Sequence, residues 1–133
     1  MISTKAVIAR KVQDHLEQLD WAAAIAEMEK LFAVDQDPHI RVRIGDVRQK
    51  LDMTDDAVRE YVRAADMFAE RGFFNKALAQ YKLALRLDSS NEYARTQRMI
   101  VQSCSIFMSR RYGCREDRAV QRVESKALIS SLI

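Results

Sequence analysis

Glycine and proline are scarce in this chain: three and one in 133 residues. So few turn-formers exclude a β-rich fold built on many tight turns and leave long helices with short connections. Three scattered glycines cannot build a phosphate-cradling loop. The two cysteines, Cys104 and Cys114, lack CxxC spacing, so neither a disulfide framework nor a thiolate metal site is expected. Cys104 reads as a small core residue. The two histidines, His15 and His39, have no Cys or carboxylate at ligand spacing, and both read as surface or groove residues. No run approaches the roughly 20 apolar residues of a membrane span, and the N-terminus has no signal-peptide core. The expected setting is a reduced cytoplasm.

Charge of one sign is not lacking, but it is unevenly placed. Residues 1–70 carry 10 Lys and Arg against 14 Asp and Glu, a net of −4; residues 71–133 carry 12 against 5, a net of +7. The two halves sum to the overall +3. Arg110, Arg111, Arg115, Arg118 and Arg122 crowd the basic end. Such a cluster can meet nucleic acid, anionic lipid or an acidic protein. Tyr112 is the sole aromatic interleaved there, so single-strand stacking fits poorly. A solvated face on a terminal helix is the plainer reading.

What the chain has in quantity is helical periodicity. Ala24, Met28 and Leu31 step by four and three; so do Ala57, Tyr61 and Ala64, and again Ala77, Tyr81 and Ala84. Each trio lies on one face of a helix. Ala24 to Ala57 is 33 residues, near the period of helix-hairpin repeats. Cap signals divide the chain into about seven helices. The first runs from Thr4 to Gln18, with Val7, Ile8, Val12 and Leu16 facing inward. Asp20 caps the second. Asp37-Pro38 opens the third, whose stripe is Ile40, Ile44, Val47 and Leu51. Thr54 caps the fourth and Gly72 ends it. The fifth spans about Phe74 to Leu87. Asp88 to Asn91 turns the chain into the sixth, anchored by Tyr93, Ile100, Cys104, Phe107 and Met108. A seventh, about Glu116 to Leu132, carries Val120, Val123, Ala127 and Leu128. It is expected to pack back on the sixth helix or exchange with a second chain as a homodimer. No linker composition intervenes, so residues 1–133 read as one all-α domain.

These trios resemble the tetratricopeptide repeat. Tyr61, Ala64-Ala65 and Phe68 stand at the positions of that family's first-helix signature. Ala77, Tyr81 and Ala84 follow at its second-helix spacing, and Leu87-Asp88-Ser89 replaces its closing Leu-Asp-Pro. Repeats fall at about 5–38, 38–71 and 58–91; they overlap because the fourth helix satisfies the pattern twice. The segment from Ala64 to Phe73 also resembles repeat regions of bacterial multidomain regulatory proteins. The resemblance implies a right-handed α-superhelix of antiparallel hairpins with a C-terminal capping helix at 91–133. It implies a non-catalytic scaffold or adaptor that binds a peptide or helix of another protein. By matched position, Gln13, Val42, Arg43, Asp46 and Gln49 would face the binding groove. The Lys and Asn clamp with which one subfamily grips chaperone tails is missing at Ala9, Gln13, Val42 and Asp46.

No catalytic constellation stands against that reading. There is no nucleophile elbow and no Ser/His/Asp set. The acidic pairs Asp55-Asp56 and Glu116-Asp117 sit at helix starts, where they complement the helix dipole. Neither a metal nor a cofactor is expected. Trp21 reads as a packing residue and the methionines as core fillers.

Overall fold

A computed structural model describes residues 3–112. They form six α-helices: α1 (Thr4–Glu17), α2 (Trp21–Val34), α3 (Pro38–Lys50), α4 (Thr54–Glu70), α5 (Phe74–Leu87) and α6 (Glu92–Tyr112). No strand occurs among the described residues. The expected seventh helix, and with it Arg115, Arg118 and Arg122, lies outside them. Each helix packs against the next, and the α2–α3 contact is the slightest of these. The connections 18–20, 35–37, 51–53 and 71–73 are so short that neighbouring helices must run antiparallel.

Local chemistry sets the boundaries. Asp20 Oδ1 accepts from the Ala23 N–H at 3.3 Å, and Asp37 Oδ1 from the His39 N–H at 3.0 Å with Pro38 in the first turn. Asn91 Oδ1 accepts from the Ala94 N–H at 3.0 Å. Each fills a donor that the helix leaves open. Thr54 is not a cap: it is already helical, and Met53 precedes it without a side-chain hydrogen bond. Asp55 and Asp56, in the first turn of α4, supply the electrostatic complement instead.

The turns come in two kinds. After α1, α3 and α4 the chain passes through a left-handed residue: Leu19 (φ 58°), Asp52 (φ 59°) and Gly72 (φ 81°). All three turns close the same way. The N–H of Asp20, Met53 and Phe73 reaches back five residues, to the carbonyls of His15, Arg48 and Phe68. This is the Schellman closure of a helix end. Glycine suits it at no cost; leucine and aspartate each adopt it against about 1 kcal/mol or more of steric penalty. After α2 and α5, by contrast, Asp35 and Asp88 are extended and bond back four residues, to Leu31 and Ala84.

The buried face follows the alanine trios. Ala24, Ala57, Ala64, Ala77 and Ala84 are all at 0 % exposure, so every alanine crossing named by spacing is real. One core joins α1, α2 and α3 through Val12, Met28 and Ile44. A second joins α4, α5 and α6 through Ala65, Phe68, Ala77, Val101 and Cys104. Val42 packs on this second core and also on the Tyr61–Ala84 group that lies between α4 and α5. Some large residues do not follow. Val7, Leu51, Tyr93 and Phe107 are exposed; α6 buries Cys104 and Met108 as expected, and Ala94 and Val101 besides. A helix face admits what its angular position allows, so Ala94 is buried and Tyr93 beside it is not. Met28 and Met108 fill core, but Met53 and Met99 are exposed.

Candidate interaction site

Two hairpins repeat one packing detail, and a third keeps its positions without its chemistry. In α3, Gly45 lies against the ring of Tyr61 from α4: a Cβ placed on Gly45 would stand 2.9 Å from Tyr61 Cε1. One residue on, Asp46 Oδ1 accepts from the Tyr61 hydroxyl at 2.6 Å, and Gln49 Oε1 also accepts at 3.2 Å. Twenty residues later, Ala65-Asp66 and Tyr81 take the same places, and the Tyr81 hydroxyl donates to Asp66 Oδ1. Tyr93 of α6 donates to the other oxygen of Asp66 at 2.9 Å. In the first hairpin Val12-Gln13 and Met28 occupy the corresponding positions. Methionine has no donor to offer, and Gln13 bonds Glu17 at 3.1 Å instead.

The groove residues inferred from the resemblance are thereby placed. Val42, Asp46 and Gln49 share one face of α3, and the structure brings Asp46 and Gln49 together at the Tyr61 hydroxyl. Arg43 is exposed beside them, Val42 is half-buried, and Gln13 is exposed on α1. Asp46 and Gln49 therefore serve the fold as well as the surface. Arg110 and Arg111 are exposed at the end of α6, with the Arg111 guanidinium 5.8 Å from the Phe107 ring.

These hydroxyl–carboxylate ties shift titration. Burial first, then the bond to Asp66, pushes Tyr93 up to about 12. Tyr61 and Tyr81 are pushed up further by burial and by Asp46 and Asp66. Burial also raises Asp66, and the two tyrosine hydrogen bonds oppose it. A phenol held neutral in the fold but free to ionise when unfolded destabilises the fold once pH passes the unfolded value of 10. The stability is thus intact below pH 10 and lost progressively above it. Alkaline titration should show tyrosinate absorbance from Tyr61 and Tyr81 appearing together with loss of helical circular dichroism. Full tyrosinate absorbance in a chain that is still helical would refute the buried ties.

Two features were hidden from the sequence. The first is a charged knot under α2, α3 and α4. Arg41 Nη1 bonds Glu60 Oε2 at 3.2 Å and Glu29 Oε2 at 3.1 Å, and its guanidinium lies 4.0 Å over the Phe32 ring. Glu60 is only 5 % exposed. Arg48 approaches it at 3.9 Å and reaches Asp56 at 3.8 Å. The second is a cleft of about 340 Å³ at the end of the stack where α2 and α4 finish and α3 and α5 begin. Pro38, Phe68 and Phe73 give it apolar walls; His39, Arg71, Lys76, Asp35 and Asp37 give it charge and polarity. His39 meets Phe68 edge-on at 5.1 Å. A smaller cleft of about 120 Å³ lies over Asp66, Tyr81 and Tyr93.

Trp21 packs on the first core, with the Lys50 ammonium 4.7 Å from its ring. Cys104 is buried, and burial pushes its thiol up, as suits a packing residue rather than a nucleophile. Among the described residues no group of three or more His, Cys, Asp or Glu is placed to hold a metal ion. No helix among them is long and apolar enough to cross a membrane. Compared with known proteins, the chain matches no protein-family model and no curated protein.

Proposed function

We propose that this chain is a non-catalytic helical-repeat module, of the tetratricopeptide kind, that binds a peptide or helix of a partner protein. The observation that carries the reading is the recurrence of one hairpin register at unequal steps. The left-handed turn residue recurs at 19, 52 and 72, and a large, fully buried residue at 28, 61 and 81. Both series advance by 33 and then by 20 residues. Turn geometry and side-chain packing are independent, so their agreement supports one structural unit used three times. The step of 20 arises because α4 closes one hairpin and opens the next. Units of this kind stack into a right-handed superhelix and present an extended face, which suits them to holding chains rather than transforming substrates. The face of α3 with Val42, Arg43, Asp46 and Gln49 is the proposed contact, in a bacterial cytoplasmic setting.

A photo-cross-linking residue at Arg43, compared with one at Lys82, tests it in cytoplasmic extract. A protein adduct at Arg43 alone that still forms as salt is raised supports the reading, because a contact that neutralises few charges is weakly screened. A complex that contains nucleic acid and weakens steeply with salt would replace it with polyanion binding through the C-terminal arginines.

A further inference from the structure

We propose that the cleft between the ends of α2 and α4 and the starts of α3 and α5 is an anchor pocket for a carboxylate side chain flanked by apolar residues in a partner peptide. The inference rests on the interaction-module reading and adds the chemistry of the partner. It starts from which charges in the cleft are already matched. Asp35 is paired with Lys5 at 2.6 Å. Asp37 accepts from the His39 N–H at 3.0 Å and lies 2.8 Å from the His39 ring nitrogen. Burial alone would push Asp37 up. The His39 contacts and the nearby Arg71 charge outweigh it and hold the carboxyl below its ordinary value. Both acids are thus satisfied within the fold.

The cations are matched only in part. Arg71 donates to a neutral group, the Gln36 carbonyl. The Lys76 ammonium stands 5.1 Å from the Phe73 ring and 5.8 Å from the Phe68 ring, with no carboxylate partner among the described residues. Lys5, Arg71 and Lys76 set against Asp35 and Asp37 leave one positive charge. One charge suits a monoanionic carboxylate. A dianionic phosphate would meet the two acids with a second negative charge still unmatched. The walls of Pro38, Phe68 and Phe73 call for an apolar neighbour beside that carboxylate. An ammonium held over two aromatic faces and a guanidinium tied to the Gln36 carbonyl are positioned for it before it arrives, which lowers the ordering cost of binding.

The test uses the full chain and three capped tripeptides: Leu-Glu-Phe, Leu-Gln-Phe and Leu-phosphoserine-Phe. Nuclear magnetic resonance reads which backbone amides shift. The Glu peptide should move Arg71, Phe73 and Lys76, with the Gln peptide about fivefold weaker, a difference of about 1 kcal/mol. Lys76 is exposed and unpaired, so Lys76→Glu should keep the fold and bring the Glu peptide down to the level of the Gln peptide. Lys76→Gln should give an intermediate loss. Equal binding of the Glu and Gln peptides overturns the proposal, as does the absence of any shift at the cleft. Tighter binding of the phosphoserine peptide overturns the carboxylate assignment in favour of phosphate. Shifts confined to Val42, Arg43 and Asp46 would sink the anchor pocket while leaving the interaction module standing, whose own failure is read by the Arg43 cross-link.

Discussion

Glu60→Ala is expected to lower folding stability by about 3 kcal/mol, and urea denaturation is the measurement that reads it. Glu60 is nearly buried and receives Arg41 at 3.2 Å, with Arg48 and Arg63 at 3.9 and 4.0 Å. Removing it leaves the Arg41 side chain, 13 % exposed, with Glu29 as its remaining carboxylate. Arg48 Nε is already buried without a hydrogen bond and would lose the Glu60 carboxylate that stands 3.9 Å away. Breaking a buried pair from one side costs about 3–5 kcal/mol, and the surviving Glu29 contact places this case at the low end. Against a total of about 5–15 kcal/mol, that is a large share. Glu60→Gln should cost nearly as much, because it keeps the shape and removes the charge. The double variant Arg41→Leu, Glu60→Leu should recover much of the loss, since apolar replacement of both partners removes the uncompensated charge. A loss below about 1 kcal/mol for Glu60→Ala would mean that the knot behaves as a solvated surface pair.

Tyr61→Ala is expected to cost about 3–5 kcal/mol, as for other large aromatic truncations in a core. Tyr61 is at 0 % exposure; its ring is held against Gly45 and its hydroxyl by Asp46 and Gln49. The sharper result concerns Gly45→Ala, whose sign should depend on Tyr61. Alanine in a helix interior gains about 0.5–1 kcal/mol over glycine. Here its Cβ would meet a ring that hydrogen bonds keep in place, at 2.9 Å. Overpacking of that kind costs about 1–3 kcal/mol, so Gly45→Ala alone should destabilise by about 1 kcal/mol. In the Tyr61→Ala background the clash is gone and Gly45→Ala should stabilise. The same sign in both backgrounds would place the tyrosine ring elsewhere.

The helices and their crossings were legible because they depend on local spacing. Asp20 and Asp37-Pro38 announced their helices, and Ala77 with Tyr81 and Ala84 announced a crossing that the structure buries completely. The double pattern on α4 was legible too, in Ala57, Tyr61 and Ala64 overlapping Tyr61, Ala65 and Phe68. Its meaning needed the structure: α4 packs on both α3 and α5. Leu19 and Asp52 hid two of the three equivalent turns, because neither residue advertises a left-handed backbone as Gly72 does. Glu60 reads in isolation as a solvent-facing charge. Its burial depends on an arginine 19 residues away, a separation that no helical period spans. The cleft was invisible for the same reason: Pro38, Phe68 and Lys76 belong to three helices and meet only at their ends.

Because α4 is half of two hairpins, the stretch from α3 to α6 cannot come apart one hairpin at a time. Releasing α3 strips Tyr61 of its acceptors, and releasing α5 strips Asp66 of the Tyr81 donor; either loss loosens the same helix. The α2–α3 seam shares no helix between hairpins and is the slightest of the sequential contacts. A pull on the N-terminus would therefore peel α1 and α2 away first, at low force. It would then meet a block from α3 to α6 that yields in a single step. Amide exchange in α1 and α2 would report the first event, while the slowest protons in α4 would keep time with global unfolding.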